Sequence, residues 1–454
     1  MFIQTVKTPG LAHLSYIIGS QGEAAVIDPR RDVDDYISIA KQHDCRIKYI
    51  FETHRNEDLI SGAAILANLT HAEVKHGPNA DGEVQYADVV HGGDSFNVGN
   101  IGLEILETPG HTKDSISILL FDSDFNDGPV GIFTGDTLFI GDVGRTDFYP
   151  GQVQKMAGML FDSLRLIESK AKQAIIYPAH GAGSVCGDGM AEREFSTISH
   201  EMNNNPMLKI QQRDTFISKK VAEHHYQPPY FSAMERLNLI GASAYNAPRI
   251  VSPKQLAHVD QAKQDLGWLI DVRPVEAFLG GHYPGSLCLP VAMLTAYGVW
   301  LLQPEDKITL IAQSEAMANK AALQFSRIGF DHTHSYVPAE FAKFAAAGGE
   351  VASLNTVCAT QVKELIKQDW QLLDVRKITE YNQDHIKGSK HIFLGHLPEK
   401  LNELSANKNY ITMCASGMRA SVAAAYLRAK GINNVQVFMG SMGAWQNAGY
   451  DVET

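Results

Sequence analysis

A stretch in the back half of the chain is written twice. Leu269-Ile270-Asp271-Val272-Arg273, followed by His282-Tyr283-Pro284-Gly285-Ser286, recurs as Leu372-Leu373-Asp374-Val375-Arg376 and His385-Ile386-Lys387-Gly388-Ser389. The register is constant, Asp271 to Asp374 and Ser286 to Ser389 alike being 103 residues apart. A repeat of that length confines this half to two copies of one small module. In each copy an apolar strand, a short loop and a helix follow, so the expected module is α/β.

The copies differ where chemistry would sit. In the second, Tyr410-Ile411-Thr412-Met413 reads as a buried strand and Ser421–Ala429 as a helix, with Cys414-Ala415-Ser416-Gly417-Met418-Arg419 between them. A loop entering a helix N-terminus turns several backbone N–H groups inward at the positive end of the helix dipole. Both effects favour a thiolate and an anionic persulfide. In the first copy the strand Ile308–Ile311 leads into Ala312-Gln313-Ser314-Glu315-Ala316-Met317, which has no cysteine, and Met317 falls where Arg419 would be. Cys288, in the short strand Leu287–Pro290, reads as core. The DVR and HxxGS segments and the CxxGxR loop resemble the rhodanese fold. That resemblance implies Cys414 as sulfur acceptor, Arg419 as part of the active loop, and a first copy that cannot carry sulfur. The first copy is then a spacer, a dimer surface or a wall of a substrate channel.

The front half is organised by turns that end in potential metal ligands. Ile47–Phe51 reads as a strand with His54 just past its end, where α/β folds place chemistry. Thr108-Pro109-Gly110-His111-Thr112 follows the strand-like Leu103–Leu106, and Thr134-Gly135-Asp136-Thr137 follows Val130–Phe133. Glycine or proline makes each turn tight enough to aim a side chain. Two imidazoles and one carboxylate form a facial triad that leaves coordination positions open and suits non-haem Fe(II) acting on O2. The paired strands Leu14–Ile18 and Ala24–Ile27, a helix over Asp32–His43, further strands at Ile116–Phe121 and Ala174–Tyr177, and a helix starting at Ile60 predict two sheets covered by helices.

In order, TH, TPGHT, TGDTLF and YPAHG resemble the metallo-β-lactamase superfamily, and within it the persulfide dioxygenases; Gly144-Arg145-Thr146-Asp147-Phe148 adds to the match. The resemblance covers nearly all of the first 200 residues. It implies one iron per chain held by His54, His111 and Asp136. Hydrolases such as glyoxalase II use a fuller His-x-His-x-Asp-His motif for a dizinc site. Here Asn56 and Leu59 stand at two of those ligand positions. Their loss removes the second metal and leaves Asp58 and His180 as groups that support the ligands or touch substrate. Two neighbours carry two readings each. Arg145 either fixes a substrate carboxylate through its bidentate fork or pairs with Asp142 or Asp147. Cys186, in a glycine-rich loop after His180, either contacts a persulfide or is a small buried thiol.

Composition bounds the rest. The chain has 454 residues, 44% hydrophobic and 20% charged, as expected of several globular domains. A net charge of −12 argues against a nucleic-acid partner, which would need a basic stripe. No run is long and apolar enough for a membrane span, and MFIQTVKTPG does not read as a signal peptide. Five cysteines, with no CxxC pair, point to a reducing cytoplasm. From Tyr226 the chain turns Pro-rich and then polar, which predicts an extended arm between domains.

The expected architecture is an α/β chain: an α+β metallo-β-lactamase sandwich, αββα, followed by two α/β rhodanese-like domains. The expected domains are 1–247 with its C-terminal arm, 248–352 without the cysteine, and 353–454 with it. The combination implies oxidation of a low-molecular-weight persulfide (glutathione persulfide or similar) by O2 to sulfite and thiol, coupled to sulfur transfer to or from thiosulfate or sulfite. A zinc-dependent thioester hydrolase with rhodanese domains and a non-catalytic sulfur carrier are the alternatives. A homodimer or higher homo-oligomer stays open, as do the thiol and the direction of sulfur flow.

Overall fold

The computed structural model describes residues 1–125, 127–184, 186–187, 189–242, 252–253 and 267–454. The chain divides into two compact units, Met1–Asn246 with Arg327–Gly329, and Ala247–Ser326 with Phe330–Thr454. The boundary expected at 247/248 lies outside the described residues. No helix among the described residues is long and apolar enough to cross a membrane.

The first unit is built on two mixed sheets. One runs, edge to edge, Phe2–Thr8, His13–Ser20, Glu23–Ile27, Arg46–Glu52, Glu73–His76 and Asp88–Val89. The other runs Ile175–Pro178, Gly131–Gly135, Ile116–Asp122, Ile101–Glu107 and Ser95–Val98. Tyr16, Ile18, Ile27 and Phe51 of the first pack against Leu103, Ile105, Ile118 and Phe133 of the second. The alternate residues point the other way, as strand periodicity requires. Ile17, Val26 and Ile50 meet Tyr36, Ile39 and Leu66 of the helices Asp34–Gln42 and Ala63–Thr70. Leu119, Ile132 and Ile176 meet Leu160, Leu164 and Ile167 of the helix Val153–Lys170. The result is the αββα sandwich. Strands covered on both faces are apolar throughout, which is why several of them read as continuous hydrophobic runs.

The stretch after Tyr226 departs from the extended arm expected for it. Phe231–Ile240 is a helix, with Phe231, Met234 and Asn238 buried at helical spacing. Pro228 and Pro229 precede its first turn, where a missing N–H breaks no helical hydrogen bond.

The second unit holds the repeat as two all-parallel five-stranded sheets of identical order. The first is Ser252–Pro253, Thr333–Pro338, Ile308–Ala312, Trp268–Asp271 and Leu287–Cys288; the second is Thr356–Val357, Val435–Phe438, Asn409–Met413, Trp370–Asp374 and Lys390–His391. The repeated residues are structural. Arg273 grips the buried Asp271 and donates to Gly281 O at 2.7 Å; Arg376 grips Asp374 and donates to Asp384 O at 2.7 Å. His282 stacks on Phe278 at 3.9 Å, and His385 on Tyr381 at 4.2 Å, each imidazole bonded to the carbonyl of the ring beneath it. A buried ion pair persists where its geometry is good and its remaining donors are used.

Candidate metal centre and sulfur loop

His54, His111 and Asp136 converge, each from a turn after a strand, and their ligating atoms lie within 4.8 Å of one another. His54 Nε2 is 3.8 Å and His111 Nε2 3.4 Å from Asp136 Oδ2. All three are buried. Gly135, at φ +52°, passes so close to the His54 turn that a Cβ there would lie 2.6 Å from Thr53 Oγ1. Thr137 Oγ1 donates to Thr108 O at 3.1 Å, which pins the aspartate turn to the His111 turn.

Both imidazoles are oriented through Nδ1, which leaves Nε2 facing the centre. Thr53 donates its hydroxyl to Asp28 at 2.8 Å, so its oxygen accepts from His54 Nδ1 at 2.9 Å. His111 Nδ1 donates to Arg145 O at 3.1 Å, and Phe148 stands edge-on to the same ring at 5.1 Å. Burial pushes His111 down to about 3, which keeps it neutral. Burial alone would keep Asp136 protonated, but His180, His54 and His111 hold it well below the usual carboxylate range. Buried and without a hydrogen-bond partner stand His111 Nε2 and Glu57 Oε2. Neutral imidazoles, an ionised carboxylate and unpartnered buried atoms aimed at one point fit a divalent metal ion.

Beside this triad lies a second group, Asp58, His180 and Cys186, again within 4.8 Å of one another. His180 donates through Nδ1 to Asp136, and its Nε2 is 3.0 Å from Asp58 Oδ2. Burial opposes its protonation, but Asp136 and Asp58 hold His180 well above the ordinary imidazole range. Burial, then the charges of Asp136 and Asp58, push the Cys186 thiol well up. Asn56 and Leu59 are also buried here. The amide oxygen of Asn56 has no partner, and Leu59 offers no ligand atom.

Of the two roles open to Arg145, its fork is occupied by Asp147: Nε donates to Oδ1 at 2.6 Å and Nη2 to Oδ2 at 2.7 Å. It is the backbone carbonyl of Arg145 that faces the centre, on His111.

Several residues of the centre were missed in the sequence. Glu57 faces His111 Nε2 from 3.8 Å, and burial pushes its carboxyl well above the ordinary value. Its place inside the ligand motif was the only sign. Asp28 holds both the backbone N–H and the hydroxyl of Thr53. Asn238 donates to Asn56 O at 2.7 Å and Leu59 O at 2.8 Å, and accepts from Ser61 N at 2.9 Å. Tyr230 donates to Asp58 O at 2.8 Å. These last two come from the segment read as an arm, and nothing in their local sequence marks them.

The Cys414 loop has its own construction. Cys414 ends the strand Asn409–Met413, and Gly417, at φ +112°, turns the chain into the helix Met418–Ala429. Gly417 N–H points at Cys414 Sγ from 3.1 Å, and Cys414 N–H donates to Ser441 Oγ at 3.0 Å. Gly440, Met442 and Gly443 donate backbone N–H groups to Ser416, Cys414 and Ala415, clamping the loop from behind. Arg419 lays both terminal nitrogens on Glu380, at 2.6 and 2.7 Å. In the first copy the loop has become a helix cap, Ser314 Oγ accepting from Met317 N at 3.2 Å. Cys288 is buried there, and all five cysteines are free.

Comparison with known proteins returns both modules. The family profile described as "Metallo-beta-lactamase superfamily" matches residues 8–180, and "Rhodanese-like domain" matches 252–346 and 359–448. A solved metallo-beta-lactamase from Staphylococcus aureus is 31% identical with a TM-score of 0.67, covering 74% of this chain and 99% of its own. The cytoplasmic hydroxyacylglutathione hydrolase of Arabidopsis thaliana is 34% identical over 145 residues, which is 31% of this chain and 54% of that enzyme's length. The mitochondrial persulfide dioxygenase ETHE1 of Homo sapiens is 27% identical over 216 residues, 46% of this chain and 77% of its own.

Proposed function

The chain belongs to the metallo-β-lactamase superfamily and continues into two rhodanese-like domains, and on that premise we propose that it oxidises a small persulfide with O2 and passes sulfane sulfur through Cys414. We assign the oxygenase to 1–247, a cysteine-less repeat to 248–352 and the sulfurtransferase to 353–454. The observation that carries the oxygenase reading is the set of buried, converging His54, His111 and Asp136 beside Asn56 and Leu59, which put no imidazole where a two-metal hydrolase has two.

These three residues would hold one Fe(II), which would supply the redox chemistry for oxidation of the terminal persulfide sulfur by O2. The overall change is RSSH + O2 + H2O to RSH + sulfite + two protons. The protein's part is to fix the ligands. Asp28 acts through Thr53 on His54, the Arg145 carbonyl on His111, and His180 on Asp136. Glu57 and Cys186 line the space beside the triad, where a neutral carboxyl and a thiol would meet the substrate sulfur. In the sulfur loop, the Gly417 N–H and the helix N-terminus stabilise negative charge on Cys414 Sγ. Small sulfur compounds are the substrates on this reading. Five free cysteines suit a reducing cytoplasm.

One observation favours a second reading. Asp58, His180 and Cys186 could take a second cation, and the likeness to the Arabidopsis hydrolase points the same way. That would make a zinc thioester hydrolase. Supplying glutathione persulfide and S-lactoylglutathione to the same enzyme separates the two. Sulfite formation from the first supports the oxygenase, whereas thioester cleavage without it establishes the hydrolase.

A further inference from the structure

A cavity of about 520 Å³ lies where the two sheets of the first unit meet. One wall is the hairpin between the strands Phe2–Thr8 and His13–Ser20. Backbone bonds stitch that hairpin to the end of the other sheet: Leu14 N–H donates to Ala179 O at 2.7 Å, and Gly181 N–H to Ala12 O at 2.9 Å. The facing wall is the stretch from Met190 to Glu194, which Ala191 N–H fastens to Ile140 O at 2.8 Å. His180 lines the cavity, whereas His54, His111 and Asp136 do not. The size is that of a small-molecule site.

The lining says what kind of molecule fits. Pro9, Leu14, Ile140, Pro178 and Met190 make its walls apolar. Its charged residues are Lys7, Glu192, Arg193 and Glu194, all exposed and two of each sign. Lys7 pairs with Glu194, and Arg193 donates to the buried Glu201 at 2.7 Å. Both cations are thus already paired, and the signs balance. A charged guest would lose its hydration against apolar walls and gain no free counter-charge.

One polar atom of the lining asks for a partner. His13 is buried, its Nδ1 lies 3.1 Å from Thr8 Oγ1, and its Nε2 has no hydrogen-bond partner among the described residues. A buried polar atom left in that state costs free energy until something meets it. A hydroxyl both donates and accepts, so it meets the nitrogen in either tautomer of the ring. His13 also stands edge-on to His180 at 5.4 Å, and His180 donates through Nδ1 to Asp136 at 2.7 Å. A molecule in the cavity therefore touches the ring that orients Asp136.

We propose that this cavity is a second ligand site, which takes a small uncharged molecule with an apolar body and one hydroxyl group, and that its occupant bears on the metal centre through His180. The apolar body lies on the walls and the hydroxyl meets His13 Nε2. The second half of the proposal rests on the reading of His54, His111 and Asp136 as metal ligands; the first half stands without it.

The test titrates the intact chain with benzyl alcohol, and with benzoate as the charged molecule of the same body, by ligand-observed NMR. Benzyl alcohol should bind wild type saturably and benzoate about tenfold more weakly or less. Ala182→Trp, a change at an exposed residue of the lining, should abolish binding. His13→Phe should weaken it about fivefold, the loss expected for one neutral hydrogen bond. No saturable binding, tighter binding of benzoate, or unchanged binding in Ala182→Trp overturns the site. For the second half, the visible spectrum of the cobalt(II)-loaded chain should shift when benzyl alcohol saturates wild type, and stay fixed in Ala182→Trp. Binding with no spectral change overturns the coupling and leaves the metal ligands in place. A chain that takes up no cobalt overturns the metal reading and the coupling together, and leaves the cavity site standing.

Discussion

His180 Nδ1 lies 2.7 Å from Asp136 Oδ1 and 3.0 Å from Oδ2, and Oδ2 is the oxygen that also faces His54 and His111. One carboxylate oxygen thus meets His180 alone, and the other is shared between His180 and the two imidazoles. His180 is the group that orients it, and Asp58 holds His180 from the other side. His180→Ala should weaken metal retention by about 10–100-fold, the usual loss when a ligand's supporting hydrogen bond is removed. Competition with a chelator measures it; retention equal to wild type would show that Asp136 needs no such support.

On the proposed reading, His111→Ala removes a ligand outright. Metal content and persulfide oxidation should both vanish, while sulfur transfer through Cys414 persists. Parallel loss of transfer would mean that the two activities share a site.

Cys414→Ser should abolish sulfur transfer and leave metal content unchanged, since no other cysteine sits in such a loop. Adding a cysteine to that variant by Ala312→Cys should not restore it. The loop after Ala312 has neither the glycine nor the arginine of the second copy, and Ser314 has made it a helix cap. Transfer at the wild-type rate in Cys414→Ser would place the carrier elsewhere.

Asn238→Ala strips three hydrogen bonds from the turn that carries the metal ligands. The buried carbonyls of Asn56 and Leu59 and the N–H of Ser61 would lose their partner, at about 1–3 kcal/mol for each unsatisfied group. Thermal unfolding should fall and metal should leave faster. A Tm equal to wild type would mean that water replaces the amide at no cost.

His282 gives a pH dependence. Burial lowers its folded value to about 4, below the ordinary imidazole value. Between these values the unfolded chain binds more protons, so stability falls as pH drops through that window, by up to about 3 kcal/mol near pH 4. His282→Asn should flatten this fall, measured as Tm against pH. An unchanged slope would show that other groups carry the acid sensitivity.

The parts legible in the sequence are those in which residue type and local turn coincide. His54, His111, Asp136 and Cys414 each follow an apolar strand and sit in a turn, so ligand and geometry are written together. The repeat was legible because its ion pair and stacked histidine recur at fixed spacing. The rest depends on long-range packing. Asn238 and Tyr230 reach the metal turn across more than 170 residues of chain, and a helix carrying them looks polar until its partner is known. Glu57 is one letter within the motif, and only the fold buries it against His111.

Metal content and O2 uptake, measured on one preparation of the intact chain with glutathione persulfide, bear most directly on the oxygenase reading. About one iron per chain and O2 consumption matched by sulfite are predicted from the three-ligand centre. Two tightly held zinc ions per chain with no O2 consumed would contradict it.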